Sequence, residues 1–356
     1  MGKHGRNIGL KPTVNDVARV AGVSLATVDR VLNGRPGVRN VTIERVYDAI
    51  QELGYVRDTA AANLARGRVY NFQFLLPQSN NEFVTSLEHQ IMGISKVLAL
   101  ERTKISYEKI PAFNPQALAS ILSRMDPENV DGVAIFGPET AAVKEAIDQI
   151  KKRGMSVIAL VSDLPSSERD YFVGIDNLAA GRTAAQLMGH FLPNGQGKVL
   201  VITGSMLARD HLERRQGFDQ VINESFGGVD VLSSLEGRDD PDLLEKLLPG
   251  VFAKHPDITG IYSSAAGNAG LINFLRKTSL DDKVMVVAHE LTALSREALE
   301  HGSFNAIISQ DTGHLVRSTI RVLRANVDNL PINLSQERIR IDVYLRENMP
   351  PLDEKI

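Results

Sequence analysis

The stretch Val17-Ala18-Arg19-Val20-Ala21-Gly22-Val23-Ser24-Leu25-Ala26-Thr27-Val28-Asp29-Arg30-Val31-Leu32-Asn33-Gly34 sets two apolar-periodic segments around Ala21-Gly22-Val23-Ser24. Val14, Val17, Ala18 and Ala21 fall at helical spacing, and Thr13 and Asn15 can both cap, which predicts a helix from Asn15 to Ala21. Gly22 tolerates the left-handed exit that ends it, and Ser24 is placed to cap a second helix, Leu25 to Asn33. On that helix Val28, Val31 and Leu32 form the inward stripe, so Leu25, Ala26, Asp29, Arg30 and Asn33 face out. A third helix, about Val41 to Leu53, offers Val46, Ala49, Ile50 and Leu53 to the same core and stops at Gly54. Three short helices with a glycine turn between the first two make a helix-turn-helix unit. Its outward stripe suits base edges: Leu25 and Ala26 can touch thymine methyls, and Arg30 has the planar fork that matches guanine O6 and N7. Ser24, Thr27, Asn33 and the first amides of the second helix suit phosphates.

Charge is sorted along the chain in the same sense. The first 70 residues hold eleven Lys and Arg against six Asp and Glu, whereas the remainder is acidic and the whole chain carries −3. A small basic module for a polyanion joined to an acidic body is the expected organisation. At 356 residues and 43% hydrophobic content the chain can bury more than one core. It has no cysteine, which removes disulfides, thiolate nucleophiles and Cys-ligated metals. The amino-terminal MGKHGRNIGL lacks an apolar h-region and no run of membrane-spanning length occurs, so a cytoplasmic protein without membrane contact is expected.

Thr13-Val14-Asn15-Asp16-Val17-Ala18, Ala21-Gly22-Val23-Ser24, Thr27-Val28, Arg30-Val31, Leu32-Asn33-Gly34 and Leu53-Gly54-Tyr55 together resemble the headpiece of the lactose/galactose repressor family of bacterial transcription regulators. The resemblance implies DNA contacts from Thr13, Ser24, Leu25, Ala26, Thr27, Asp29, Arg30, Asn33 and Tyr55. It also implies that Asp58 to Arg66 is a hinge that becomes helical on operator DNA, with Leu64 as a minor-groove wedge and Ala61 as the small residue at which two hinges meet. So short an Ala-rich segment would fold only when docked, and an inserted Leu would unstack a base step. Three departures mark this sequence. Asp29 stands where Ser is usual, which points to a different operator. Arg39 takes the usual N-cap Ser position, leaving Asn40 as the substitute cap. Arg57 replaces a common Pro.

From Tyr70 onward, strand-length apolar runs alternate with amphipathic stretches. Strands are predicted at Phe72 to Leu76, Gly132 to Phe136, Val157 to Val161, Val199 to Thr203, Gly260 to Ser263 and Val284 to Ala288. Helices are predicted at Val84 to Leu100, Thr140 to Arg153, Leu178 to Leu192, Asp242 to Lys254 and Gly313 to Ala325. Such alternation means parallel sheets covered on both faces, an α/β body whose ligands bind past the carboxyl ends of strands. Gln78-Ser79-Asn80-Asn81-Glu82-Phe83, Ser162-Asp163, Val173-Gly174-Ile175-Asp176-Asn177 with Ala180-Gly181, Arg214-Arg215-Gln216-Gly217-Phe218, His289-Glu290-Leu291-Thr292 and Ser309-Gln310-Asp311 together resemble periplasmic sugar-binding proteins, which implies two lobes joined by three crossovers around a small-molecule cleft. The resemblance implies effector contacts from Asn81, Phe83, Asp163, Arg214, Asn268, His289, Glu290 and Gln310. Their donors, acceptors and one aromatic face suit a small sugar or sugar alcohol. Ala265-Ala266 follow a strand where sugar binders often place Asn-Asp, and the chain has no Trp.

The expected domains are a headpiece over 1–57, a hinge and linker over 58–69, and an effector-binding and dimerisation body over 70–356. Within that body, lobe one is expected at about 70–175 and 304–330, and lobe two at about 176–303 and 331–356. The function expected is a sequence-specific DNA-binding regulator, a repressor, acting as a homodimer on double-stranded operator DNA under control of a sugar or polyol, with no cofactor. The rival is a solute-binding protein of a transporter, which would need a secretory signal and has no use for Leu25, Arg30 or Leu64. An effector-independent architectural DNA binder is a third reading. Catalysis is not expected. His289-Glu290-Leu291-Thr292-Ala293 has Ala where a zinc protease needs its second His, and neither a phosphate-binding loop nor a Gly-x-Ser-x-Gly elbow occurs.

Overall fold

The computed structural model describes residues 12–32, 36–55, 68–79 and 81–351. The chain divides into two compact units, 1–68 and 69–356.

The first unit contains α1 (Val14–Ala21), α2 (Leu25–Leu32) and α3 (Asn40–Leu53). α1 starts earlier than predicted because Thr13 and Asp16 cap it reciprocally. The Asp16 amide donates to Thr13 Oγ1 at 3.4 Å, and the Thr13 amide donates to Asp16 Oδ2 at 3.0 Å. The bond from the Thr13 amide foremost, then those from the Thr13 hydroxyl and Arg19, hold the Asp16 carboxyl below the ordinary carboxylate range. Gly22 adopts the left-handed conformation (φ 62°), and Arg45 of α3 donates to the carbonyls of Ala21 and Gly22, tying the turn to the third helix. Ser24 Oγ accepts the Thr27 amide at 3.2 Å, so Ser24 caps α2 as expected. α3 departs from expectation: its N-cap is Arg39, with no side-chain capping bond. Asn40 already belongs to the helix and so cannot cap it, since a cap residue needs extended backbone of the kind Arg39 has. Val17, Ala18, Ala21, Val28, Val31, Val46 and Ala49 form the core, with Leu32, Ile50 and Leu53 packed at its margin. Asn33, Arg57 and the hinge residues Ala61 and Leu64 lie outside the described residues.

The second unit has two sheets. The first is parallel throughout, in the order β2 (Thr103–Pro111), β1 (Tyr70–Gln78), β3 (Gly132–Ile135), β4 (Ser156–Leu160), β5 (Tyr171–Val173). Around it run α4 (Glu82–Leu100), α5 (Pro115–Arg124) and α6 (Ala141–Lys152). The second sheet uses β6 (Gln196–Thr203), β7 (Gly228–Val231), β8 (Leu235–Glu236), β9 (Ile258–Ser263), β10 (Met285–His289), β11 (Ala306–Ser309) and β12 (Asp342–Tyr344). Only β12 pairs antiparallel there, against β11. Its helices are α7 (Asn177–Phe191), α8 (Arg209–Ser225), α9 (Pro241–Lys254), α10 (Asn268–Thr278) and α11 (Ala293–Glu300). α12 (Thr312–Val327) and α13 (Leu334–Glu337) follow β11. β3 and β4 are buried along their whole length, as strands covered on both faces must be.

Two lobe boundaries differ from expectation. The return to the first lobe falls after Ser309 rather than at residue 304, because Ala306–Ser309 is a buried strand beside β10. α12 then packs on β3, β4 and β5. The stretch after 331 stays with the first lobe as far as Glu337, which Arg321 of α12 holds through two bonds of 2.8 and 2.7 Å. The final passage to the second sheet is made at β12. Within the second lobe α7 and α8 approach closely. A Cβ at Gly181 would lie 2.0 Å from the Arg214 carbonyl oxygen, and one at Gly217 would lie 2.1 Å from that of Leu178. Glycine at both positions is what sets Arg214 at its depth.

Candidate functional site

On α2 the inward stripe leaves a polar-apolar face in water. Leu25 is 49% exposed, and Ala26 and Arg30 are exposed beside it, while Thr27 and Asp29 are half-buried. Ser24 and Thr27 share a hydroxyl contact of 2.8 Å at the start of the helix, so their side chains are engaged in the cap and their outward capacity is the helix's free amide end. Thr13 is exposed but serves the α1 cap, and Tyr55 is half-buried against the small core. Arg45 escaped the sequence reading. Nothing in periodicity marks a charged residue of α3 as the clamp on a glycine turn twenty-odd positions upstream.

In the second unit, the residues past the strand ends converge. Arg214, only 3% exposed, donates from Nε to Asn177 Oδ1 at 2.9 Å and from Nη1 to the Ser264 carbonyl at 2.8 Å. Its Nη2 lies 3.8 Å from Glu290 Oε1, and the same Glu290 oxygen accepts from Gln310 Nε2 at 2.8 Å. Asn268 accepts from Ser263 Oγ at 2.8 Å and donates to the His289 carbonyl at 3.0 Å. His289 is fully buried, with Nε2 2.9 Å from the Tyr262 hydroxyl. Arg214, Asn268, His289, Glu290 and Gln310 thus form one cluster in the second lobe. Burial pushes the Glu290 carboxyl up, against the pull of Arg214, and drives the His289 imidazole well below its usual value. His289 Nδ1 and Gln310 Oε1 are buried without a hydrogen-bond partner. His289 ends β10 and Glu290 has φ 67°, so the His-Glu pair does not lie on a helix. Val161, just past β4, is also left-handed (φ 65°). That costs a β-branched residue on the order of 1–3 kcal/mol, a strain that clusters at sites.

The three remaining expected contacts come from the first lobe. Asn81 caps α4 by accepting the Val84 amide at 2.8 Å, and Phe83 meets Phe136 edge-on with centroids 6.5 Å apart. Both line a cavity with Asn268, His289 and Glu290. Asp163 does not join them: it is closed in a two-pronged pair with Arg169, one arm measuring 2.7 Å. A neighbouring cavity is lined by Phe113 and Phe136 of the first lobe and by Asp210, His211 and Asp239 of the second. Sequence reading missed these. Asp210 and His211 lie inside α8, and Asp239 follows β8, a strand of two residues too short to be read from apolar periodicity. Hydrogen bonds bridge the lobes here, from Arg209 Nη1 to Glu139 Oε2 at 2.9 Å and from the Asp210 amide to Ser162 Oγ at 3.3 Å. Asn177 joins them too, donating to the Val161 carbonyl at 3.2 Å while it accepts from Arg214.

Comparison with known proteins bears on both units. Residues 72–330 match the periplasmic binding protein domain, and residues 13–58 match the bacterial regulatory proteins of the lacI family. The chain belongs to the periplasmic binding protein domain family and carries a lacI-family regulatory domain ahead of it. It is 27% identical over 214 residues to catabolite control protein A of Priestia megaterium, covering 60% of this chain and 61% of that protein. It is 27% identical over 227 residues to the HTH-type transcriptional regulator DegA of Bacillus subtilis, 64% of each. The HTH-type transcriptional regulator GntR of Pseudomonas aeruginosa is 29% identical over 262 residues, 73% of each. The chain therefore spans about six tenths of the length of the first two relatives. Among solved structures, the glucose-galactose binding protein GanP of Geobacillus stearothermophilus superposes with a TM-score of 0.70 at 20% identity, over 80% of this chain and 99% of that one. A solute binding protein of Burkholderia graminis in complex with D-arabinose gives 0.71 at 21%, over 80% and 99%. These two share the two-lobed fold. Among the described residues no helix is long and apolar enough to cross a membrane.

Proposed function

We propose that this lacI-family chain is a sequence-specific DNA-binding transcription regulator, a repressor, whose operator affinity is set by a small sugar or polyol bound in its cleft. The observation that carries the reading is the face of α2: an exposed Leu25, Ala26 and Arg30 on a helix whose other side is the core of a lacI-type unit. Leu25 and Ala26 supply apolar contact to thymine methyls, and Arg30 supplies a bidentate match to guanine. The relatives named as transcriptional regulators support this over a transporter's binding protein. The same relatives support a non-catalytic role in the cytoplasm.

The working unit in this reading is a homodimer, two headpieces of residues 1–57 entering successive major grooves of a pseudo-palindromic site. The hinge 58–69, with Leu64 as wedge and Ala61 at the hinge contact, transmits the state of the body 70–356. Arg214, Glu290, Gln310, Asn268 and His289 hold the effector's hydroxyls from the second lobe, with Phe83 and Asn81 from the first. The orphaned His289 Nδ1 and Gln310 Oε1 support that assignment, because buried polar atoms without partners are costly unless a ligand satisfies them. The effector acts only through its difference in affinity between two lobe arrangements.

A competition gel shift with DNA upstream of the gene tests the reading. The natural chain should retain one discrete palindromic site. Arg30→Ala should lose about 1–3 kcal/mol of discrimination at one base pair of each half-site while keeping its salt-dependent non-specific binding. Unaltered selectivity in Arg30→Ala overturns the assignment of α2 as the reading helix.

A further inference from the structure

The wall of the cleft formed by Asp210, His211 and Asp239 differs in kind from the hydroxyl-binding cluster around Arg214. Asp210 is 3% exposed and its Oδ1 has no hydrogen-bond partner. Its other oxygen lies 3.6 Å from His211 Nε2, and His211 Nδ1 lies 3.2 Å from the backbone oxygen of Ser205. Asp239 Oδ1 is beside the same imidazole, since a Cβ on Gly204 would lie 2.5 Å from both Asp239 Oδ1 and His211 Cε1. Asp239 accepts one amide, from Ala266 at 3.1 Å.

The neighbouring charges are already matched. Arg214 faces Glu290, Arg209 faces Glu139 and Glu213, and Arg169 faces Asp163. Both carboxyl groups thus lie around one imidazole, Asp210 at 3.6 Å and Asp239 outside ion-pair range of its nitrogens, and even a protonated His211 balances only one of them. A neutral sugar can give Asp210 Oδ1 a hydroxyl hydrogen bond but leaves that excess charge in place. Burial above all, with Asp210 adding to it, pushes the Asp239 carboxyl up against the pull of His211, the Ala266 amide and Arg214. From the first lobe, Phe113 and Phe136 with Pro111 and Pro138 supply the apolar part of the lining. Those rings take the C–H face of a sugar ring, while Asn81 and Asn114 beside them can meet its hydroxyls.

We propose that the effector carries a protonated amine, as an amino sugar does, with its nitrogen on Asp210 and Asp239 and its ring face on Phe113 and Phe136. This rests on the reading of the cleft as a sugar site and narrows the ligand class. The ammonium supplies the orphaned Asp210 oxygen with a charge-assisted donor and cancels the surplus charge, which an uncharged parent sugar cannot do.

Calorimetric titration of the full-length chain with glucosamine, galactosamine and mannosamine, each against glucose, galactose and mannose at pH 7, tests the proposal. At least one amine should bind about tenfold or more tightly than its parent sugar, the gain expected of a charge-assisted bond at a buried carboxylate. Asp210→Asn should bring the pair within about threefold of each other, for the same reason. Ligand-free Asp210→Asn should also melt above the natural chain, because the uncompensated charge is gone. If Asp210→Asn fails to fold, Asp239→Asn gives the same two readouts. Parent sugars that bind as tightly as their amines, or an amine preference that survives both substitutions, overturn the amine and leave the sugar cleft standing. Silence from all six ligands overturns the amine and the sugar reading together.

Discussion

Arg214 illustrates how a side chain can belong to a binding site and to the structure at once. Its guanidinium donates to Asn177 and Ser264 and lies 3.8 Å from Glu290, so it organises the cleft before any ligand arrives and keeps donors for one. Arg214→Ala should therefore cost stability as well as affinity. It leaves the nearly buried Glu290 carboxyl without its cation, a loss of about 3 kcal/mol in urea unfolding. Adding Glu290→Gln to Arg214→Ala should recover a measurable part, because the stranded charge is then neutral. Strictly additive losses in that double-variant cycle would show that the 3.8 Å contact carries no coupling. Sequence reading found Arg214 through its neighbours Arg215-Gln216-Gly217-Phe218, but Asp163 shows the other outcome. The residue type and the position past a strand both fit a ligand contact, yet Arg169, six positions on, occupies the carboxylate. Which of two acids is paired is decided by local loop geometry, to which residue identity is blind.

At the scale of elements, the α7–α8 pair and the α12–α13 clamp carry separate consequences. Gly181→Ala and Gly217→Ala each thrust a methyl into a carbonyl of the facing helix. Each should destabilise by about 1–3 kcal/mol or more, seen as a lowered thermal midpoint, and should weaken effector binding by lifting Arg214. A Gly181→Ala protein with the parent's midpoint would mean the helices can separate freely. Glu337 gives a pH prediction. Burial by itself would raise this carboxyl, but the bonds from Arg321 and Ser318 prevail and hold it below the ordinary range. Its folded value lies below its unfolded one, about 4.3. The stability it contributes is therefore complete above that value and is lost as pH falls through the folded value. Glu337→Gln should lower the thermal midpoint at pH 7 and reduce its dependence on pH below about 4.3. An acid limb identical to the parent's would contradict this. The strands and helices on which these devices sit were legible where apolar periodicity is strong, as at Val199 to Thr203 and Asp242 to Lys254. β2 was not, because Thr103–Pro111 is an edge strand whose outward positions are charged, and α8 was not, because its buried face includes Asp210, His211 and Arg214.

For the whole molecule the consequential contacts are those that span the lobes, Glu139 with Arg209 and Ser162 with the Asp210 amide. Glu139→Gln removes the charged arm of that bridge and should shift the balance between lobe arrangements. By linkage, the effector's influence on operator affinity and the operator's influence on effector affinity must then change by the same factor. Titrations of each ligand with and without the other measure that factor, and a coupling in Glu139→Gln equal to the parent's would show that the bridge does not bias the lobes. An effector at 100 times its dissociation constant should add about 2.7 kcal/mol to the stability of the body. The linear order of residues by itself determined that this protein has a helix-turn-helix unit, with Leu25, Ala26 and Arg30 outward, ahead of an α/β body of parallel sheets. Those features follow from local spacing, capping and turn chemistry, which neighbouring residues settle among themselves. Only the tertiary structure decided that Asp163 is spoken for, that Asp210 and Asp239 lie around one imidazole, and that the chain recrosses between lobes after Ser309. Each of these depends on which distant groups are brought within a few ångströms, and on whether burial leaves a charge with a partner.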